Sequence, residues 1–293
     1  MKTIYFDNNA TTKVAQEVLE EMQPYFCQLY GNPSSMHTFG GQVGIKIRTA
    51  REKVAALLNC EPDEIIFTGC GTESDNAAIK GTLAAVPNRR KIITTRVEHP
   101  AVLTVCREQE NLGYSVIELG VDKKGNLDLA ELESHLDDNT ALVTIMYANN
   151  ETGVIFPIEK IAELTAQKGI VLHTDAVQVV GKMPINLAKS NIDLLSFSGH
   201  KLHAPKGIGV LYVRKGTRLS PFMVGGHQEA GRRAGTENVP GIIALGKACE
   251  LAAQNLEEEN TKVRKLREKL ENGLLKNCPD SRLNGDRDNR LPN

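Results

Sequence analysis

From residue 64 onward, the chain alternates short apolar runs with segments of helical periodicity. The apolar runs, each of which is predicted to be a strand, span residues 64–68, 91–95, 115–119, 141–147, 170–174, 194–197 and 208–213. Helical spacing predicts helices between several of these runs, for example over 127–136 and 158–168. Strands that alternate with helices form βαβ units with parallel strands. The pattern therefore predicts an α/β fold with a mostly parallel sheet flanked by helices.

The composition excludes several classes of protein. A chain of 293 residues that is 41% apolar can form one large domain and a smaller lobe. Its net charge of −1 argues against nucleic acid or an acidic membrane as the main partner. The start of the chain resembles no signal peptide, and no apolar run reaches transmembrane length. The six cysteines show no Cys-x-x-Cys spacing, which predicts reduced thiols, no metal site and a cytoplasmic protein.

A lysine follows one of the predicted buried strands. The strand 194–197 leads into Ser198-Gly-His-Lys201, and Pro205 and Gly207 then break the chain before the next apolar run. Burial lowers the pKa of a lysine, and a deprotonated amine is what Schiff-base chemistry requires. From this stretch alone, a surface lysine in a turn is an equally good interpretation.

A glycine-containing turn precedes the first predicted helix of the alternating region. Gly69 and Gly71 follow the strand 64–68, and the segment Thr72 to Asp75 has the spacing of a capping box that opens a helix. A helix that starts after such a turn presents free backbone N–H groups, which suit a phosphate. Most strand–turn–helix junctions bind nothing, so this signal is weak when taken alone.

Three further polar residues follow predicted strands. His99 precedes Pro100 at a strand-to-helix junction, where a capping role is the simpler interpretation. Asn150 lies in an asparagine-rich turn, and turn formation alone would explain it. Asp175 ends a buried strand, where a carboxylate is costly unless a donor or a cation meets it. It is either an N-cap for residues 176–180 or the partner of a protonated ring nitrogen.

These polar residues are expected to converge. Thr72, His99, Asn150, Asp175 and Lys201 each follow the carboxyl end of a different predicted strand. Ligands of open α/β sheets bind along that edge. Together the five residues describe one phosphate, one ring, one acidic partner and one amine, which predicts a single site.

The lysine segment resembles a known motif. Ser198-Gly-His-Lys201, followed by the sequence Pro-Lys-Gly-Ile-Gly-Val, is similar to the pyridoxal-phosphate lysine motif of class V aminotransferases, and among them of the NifS-type cysteine desulfurases. The likeness runs from Asp7-Asn-Asn-Ala-Thr-Thr12 to the last residue. It implies a fold-type I transferase dependent on pyridoxal 5'-phosphate. The large domain would span 12–253, and residues 1–11 and 254–293 would form part of an incomplete small α+β domain.

The resemblance also implies roles for individual residues. Lys201 would bind the cofactor covalently, and His99 would stack on the ring and transfer protons. Gln178 would donate a hydrogen bond to the ring hydroxyl, and Thr236 would reach the cofactor phosphate of the neighbouring subunit. Asn150 would contact both cofactor and substrate. The implied cofactor contacts are Gly71, Thr72, His99, Asn150, Asp175, Gln178, Ser198, Gly199, His200, Lys201 and Thr236. Arg232 and Arg233 would help to neutralise the phosphate.

The activity implied is that of a homodimeric cysteine desulfurase. It would remove sulfur from L-cysteine, release alanine and pass an enzyme persulfide to an iron–sulfur scaffold protein, with nitrogen fixation as one setting. The family's nucleophilic cysteine and carboxylate-binding arginine are expected beyond Asn293. None of the six cysteines matches that motif, including Cys70 near the phosphate turn. Because the segment that carries these two residues would cover part of the small domain, uncovered apolar surface is expected there. The alternatives are an aminotransferase, a selenocysteine lyase or an inactive cofactor-binding partner protein.

Overall fold

The computed structural model describes residues 3–293, so residues 1 and 2 of the segment assigned to the small domain lie outside the described residues. Within this range the chain forms one sheet of seven strands. These are β1 (Ile65–Thr68), β2 (Lys91–Thr95), β3 (Ser115–Leu119), β4 (Thr140–Thr144), β5 (Val171–Asp175), β6 (Leu194–Ser198) and β7 (Gly209–Val213). Each predicted apolar run overlaps one of these strands, and β4, β5 and β6 each extend one residue beyond the predicted run.

The strands lie in the order β1-β7-β6-β5-β4-β2-β3. The pairs among β2, β3, β4, β5 and β6 are parallel, whereas β7 pairs antiparallel with both β6 and β1. The connection from β6 to β7 has no room for a crossover helix, and such short connections produce antiparallel pairs. Because β7 is reversed relative to both neighbours, β1 runs in the same direction as the parallel strands. The mostly parallel sheet predicted from the sequence is confirmed.

Helices cover both faces of the sheet. They are α1 (Gln16–Met22), α2 (Pro24–Cys27), α3 (Thr38–Leu58), α4 (Gly71–Ala85), α5 (Pro100–Glu110), α6 (Leu129–His135), α7 (Ile158–Gln167), α8 (Val239–Glu258) and α9 (Arg264–Asn277). In β2, Ile92 packs with α4 and α5, whereas Ile93 joins the larger core that contains residues of α3, α7 and α8. Both side chains are fully buried, as expected of a strand that is covered on both faces.

The last helix presents apolar side chains to solvent. A turn of π-helix over Glu259–Val263 joins α8 to α9. Leu266, Leu270 and Leu274 of α9 are largely exposed, in line with the expected uncovered apolar surface. Among residues 3–293, no helix is both long enough and apolar enough to cross a membrane.

Helices α3 and α8 approach closely at Gly246. A Cβ atom on Gly246 would lie 2.7 Å from the Cα and Cβ atoms of Ala50 in α3. Gly273 of α9 also lies within a helix, but a Cβ atom there would meet nothing within 4 Å. The two positions therefore separate the packing effect of a methyl group from its effect on helix propensity.

We predict that Gly246→Ala lowers the free energy of unfolding by about 1–3 kcal/mol, because the added methyl group overpacks the α3–α8 contact. The matched control Gly273→Ala should raise it by up to about 1 kcal/mol, because alanine is the better helix former. Urea denaturation followed by circular dichroism measures both effects. Equal responses of the two variants would contradict the close packing at Gly246.

Candidate active site

A cavity of about 490 Å³ opens at the carboxyl edge of the sheet. Its wall includes most of the residues singled out in the sequence: Gly71, Thr72, His99, Asn150, Asp175, Gln178, Ser198, His200 and Lys201. This active-site cavity has the volume of a typical small-molecule site. The predicted convergence of separate strand ends on one pocket is therefore present in the structure.

Helix α4 begins at the cavity without a side-chain cap. The capping box predicted for Thr72 to Asp75 is wrong, because the helix starts at Gly71 and its N-cap is Cys70, whose side chain makes no capping hydrogen bond within residues 3–293. Glu73 instead accepts a hydrogen bond of 2.7 Å from the Gly69 N–H. The first N–H groups of α4 have no intrahelical partners, and with the helix dipole they suit a phosphate.

Asp175 places a buried carboxyl in the cavity wall. Its Oδ1 accepts a hydrogen bond of 2.9 Å from the Val177 N–H, so the capping interpretation holds locally, although residues 176–180 form a turn and not a helix. Burial raises the pKa of Asp175, whereas the Val177 N–H and the charge of Lys201 lower it. A carboxyl in this position favours a cationic ligand in the cavity.

Lys201 faces the N-terminal segment across the cavity. Its Nζ donates hydrogen bonds to the backbone carbonyls of Asn9 and Ala10, the latter at 2.9 Å. Gln178 Nε2 donates to the same Asn9 carbonyl at 3.2 Å. The segment is held there by Thr12, whose backbone N–H and hydroxyl both donate to the His200 carbonyl. Burial lowers the pKa of Lys201, as a lysine that forms imines requires.

His99 serves as a cap and also lines the cavity. Its Nδ1 accepts a hydrogen bond of 3.1 Å from the Ala101 N–H, so the neutral ring carries its hydrogen on Nε2.

Two residues of the asparagine-rich turn have different roles. Asn149 closes the turn by accepting hydrogen bonds from the N–H groups of Glu151 and Thr152, whereas Asn150 lines the cavity.

Two residues from the sequence-based set do not line the cavity. Gly199 is buried behind it, where a Cβ atom would lie 2.8 Å from the side chain of Ile208. Thr236 lies in a separate cleft of about 100 Å³. Arg233 forms an ion pair of 2.8 Å with Glu73, and Arg232 donates to backbone carbonyls, so both guanidinium groups are engaged inside the chain.

A buried ion pair fixes the loop that carries Thr236. Glu229 accepts two hydrogen bonds from the Arg51 guanidinium, at 2.6 and 2.9 Å, and a third of 2.9 Å from the Phe67 N–H. Glu229 and Ala230 have φ values of 48° and 56°, which L-residues adopt only when their surroundings hold them there. This clamp of Arg51 and Glu229 ties the loop to α3 and β1.

Two buried acids near the site, Asp75 and Glu98, were not assigned a functional role from the sequence. Asp75 lines the cavity from α4, on the same helical face as the buried Ala78 and Ile79, and this periodicity was the available signal. Glu98 is buried beside it and accepts hydrogen bonds from the Thr95 hydroxyl and the Met146 N–H. Burial raises the pKa of Glu98 to about 8.

Comparisons with known proteins identify the family. The model of the class V aminotransferases matches residues 4–293. A cysteine desulfurase from Trichormus azollae is 60% identical over 293 residues, which cover 100% of this chain and 73% of the relative. A solved structure of a NifS-like protein is 43% identical with a TM-score of 0.96, over 100% of this chain and 80% of the other. A structure of SspA in complex with cysteine is 41% identical with a TM-score of 0.82, over 85% and 72%.

The chain therefore belongs to the class V aminotransferase family and has the fold of the fold-type I transferases. Within that family it falls with the cysteine desulfurases of NifS type. Proteins of this family use pyridoxal 5'-phosphate as their cofactor.

The cavity fits this cofactor chemically. The uncapped start of α4 offers N–H groups to a phosphate, and Asp175 offers a buried carboxyl to a protonated ring nitrogen. Lys201 supplies an amine of lowered pKa in the same cavity. Gly71 brings the α4 turn close to the ends of β5 and β6, since a Cβ atom there would lie 3.1 Å from Val177 and 3.3 Å from Ser198.

We predict that Glu98→Gln changes how stability depends on pH. A carboxyl with a raised pKa contributes stability that is fully present below its ordinary pKa and is lost as the pH rises through about 8. The free energy of unfolding of the wild type should therefore fall relative to the variant, by about 1 kcal/mol per pH unit between roughly pH 5 and 8.

Urea denaturation across this pH range measures the difference. The control Glu163→Gln, at an exposed position of α7, should run parallel to the wild type. A Glu98→Gln curve that also runs parallel would show that Glu98 is ionised in the folded protein.

Proposed function

We propose that the chain is a pyridoxal-phosphate-dependent cysteine desulfurase, which removes sulfur from L-cysteine and releases alanine. The observation that carries this proposal is the single cavity that joins Lys201, Asp175 and the start of α4. The chain that forms it is 60% identical over its whole length to a named cysteine desulfurase. The relative solved in complex with cysteine supports the same substrate.

The chemistry divides between the cofactor and the residues of the cavity. When bound, pyridoxal phosphate stabilises negative charge at the α-carbon of an amino acid. Asp175 would keep a proton on the ring nitrogen, and Gln178 would donate a hydrogen bond from its amide, as it does to the Asn9 carbonyl here. The N–H groups at the start of α4 would bind the phosphate. Asn150 would contact the cofactor and the substrate.

Two side chains move protons. Lys201 Nζ, with its lowered pKa, takes up and releases a proton readily once cofactor and substrate are in place. His99 is held in one orientation by the Ala101 N–H, and its Nε2 is the second proton-transfer group of the cavity. Both side chains line the cavity, so both can reach a substrate bound there.

The sulfur acceptor lies outside the described cavity residues. A cysteine thiolate would take the sulfur as a persulfide, and an iron–sulfur scaffold protein would be the next acceptor. Cys70 lines the cavity, but it is the N-cap of α4 and belongs to the phosphate end. We therefore assign it no part in sulfur transfer.

We also propose that the protein acts as a cytoplasmic homodimer. The loop with Thr236 would cross the interface to the cofactor phosphate of the second subunit. Phe222, Met223 and Val224, near the start of this loop, expose large apolar side chains that a partner surface would cover. The free cysteines, and a reaction that produces a persulfide, suit a reducing compartment.

We predict that Lys201→Ala, loaded with pyridoxal phosphate, loses the visible absorption of the lysine-bound cofactor completely. The matched control is Lys182→Ala, because burial lowers the pKa of Lys182 to about 8 and makes its amine the nearest competitor. This control should keep the absorption, and borohydride should bleach it. If borohydride-sensitive colour survives in Lys201→Ala and disappears in Lys182→Ala, the cofactor is bound by Lys182 and the assignment to Lys201 is wrong.

Product analysis tests the reaction itself. The loaded chain is given L-cysteine together with dithiothreitol as an external thiol acceptor, and alanine and sulfide are measured over time. We expect both products in equal amounts, and a loss of activity of about 100-fold or more in His99→Ala, because a general acid–base group is removed. Accumulation of pyridoxamine phosphate in amounts equal to the enzyme would indicate transamination, and the absence of any turnover would contradict desulfuration by this chain with an external thiol.

A further inference from the structure

Asp75 is a buried carboxyl of the cavity wall to which the proposed reaction gives no role. Its side chain is 1% exposed, and its Oδ1 has no hydrogen-bond partner within the described residues. An ionised carboxylate that lacks donors in such a position is costly. The protonation state of Asp75 therefore needs an explanation from its surroundings.

Within residues 3–293, no lysine or arginine forms an ion pair with Asp75. The basic group that approaches it is His173, whose Nε2 lies 3.6 Å from Asp75 Oδ1 and 2.9 Å from the Ser196 hydroxyl. Burial lowers the pKa of His173 to about 3, so its ring is neutral. The Ser196 hydroxyl favours the ionised form of Asp75, but it carries no charge. The titratable groups that act on Asp75 from the neighbouring elements are acids: Cys70, Glu98 and Asp175.

Asp175 has different surroundings although it lines the same cavity. Burial also raises the pKa of Asp175, but the Val177 N–H, at 2.9 Å from its Oδ1, and the charge of Lys201 lower it. Asp175 and Asp75 line the same cavity, and a negative charge on one carboxyl disfavours a second charge on the other. The proton remains on the carboxyl with fewer donors, since burial and the Asp175 charge raise the pKa of Asp75 well above its usual range.

We propose that Asp75 is a positioning residue that keeps its proton in the folded protein and leaves Asp175 as the ionised acid of this pair. The inference rests on the proposed function only in that Asp175 is taken as the partner of the ring nitrogen. If Asp75 is neutral, the Asp175 carboxylate is the one negative charge of this pair. It can then be balanced by the single positive charge of the protonated ring nitrogen. It acts through Asp175 and needs no contact with the substrate.

The first test reads the proton directly and does not depend on activity. The full chain is labelled with ¹³C at the aspartate carboxyl carbons, and carboxyl resonances are followed against pH before and after pyridoxal phosphate is added. We expect one protonated aspartate signal at neutral pH that is missing in Asp75→Asn. No protonated signal in the wild type, or its persistence in Asp75→Asn, would overturn the proposal whatever the reaction catalysed.

The same titration in Asp175→Asn tests the coupling between the two acids. Removal of the Asp175 charge should lower the titration midpoint of Asp75 by about one pH unit or more, because a like charge has been taken away. An unchanged midpoint would show that Asp175 does not set the protonation of Asp75.

The second test uses the cofactor as a reporter. Asparagine matches a protonated aspartate in shape and charge, so Asp75→Asn should leave the pH midpoint of the bound cofactor's visible absorption within about 0.3 pH unit of wild type. Asp75→Leu removes the polar group and should weaken cofactor retention about tenfold, a loss that asparagine avoids. A shift of more than about one pH unit in Asp75→Asn would mean that Asp75 is charged, and the proposal fails.

Discussion

The common direction of six strands is the constraint on which this site depends. Residues that follow β1, β2, β4, β5 and β6 meet at one edge because the backbone of each strand ends there. The reversed strand β7 ends at the opposite edge, and the chain must return from it before the loop with Arg233 reaches Glu73 at the start of α4. The cavity is thus built mainly by sheet topology, and contacts between its side chains add only local adjustment.

Electrostatics then differentiates groups that topology has brought together. Asp175, Asp75 and Glu98 are all buried carboxyls within reach of the same cavity wall, yet their donors differ. Of the three, Asp175 is the one whose pKa the charge of Lys201 lowers. Three similar side chains can therefore acquire different pKa values through the placement of a few N–H groups and cations.

The sequence predicted the elements well and the individual contacts less well. Apolar runs locate strands such as β2 and β3 to the residue, because short runs rich in β-branched residues and bounded by turn formers are typical of strands. The start of α4 was misassigned, since Cys70 has no sequence signature as an N-cap and Glu73 is bound by the Gly69 N–H. Asp75 was missed because the burial of an acid is decided by tertiary packing. The contact from Lys201 to Asn9 spans 192 residues, which no local pattern can reveal.

The clamp of Arg51 and Glu229 has a consequence for molecular association. A loop held in left-handed geometry by the partly buried Arg51 guanidinium has already lost its conformational freedom when the chain folds. Whatever surface docks against this loop meets a preformed shape, and the encounter incurs little additional ordering entropy. Recognition at this loop is accordingly closer to a rigid fit than to coupled folding and binding. The entropy cost of ordering the loop has already been met when the single chain folds.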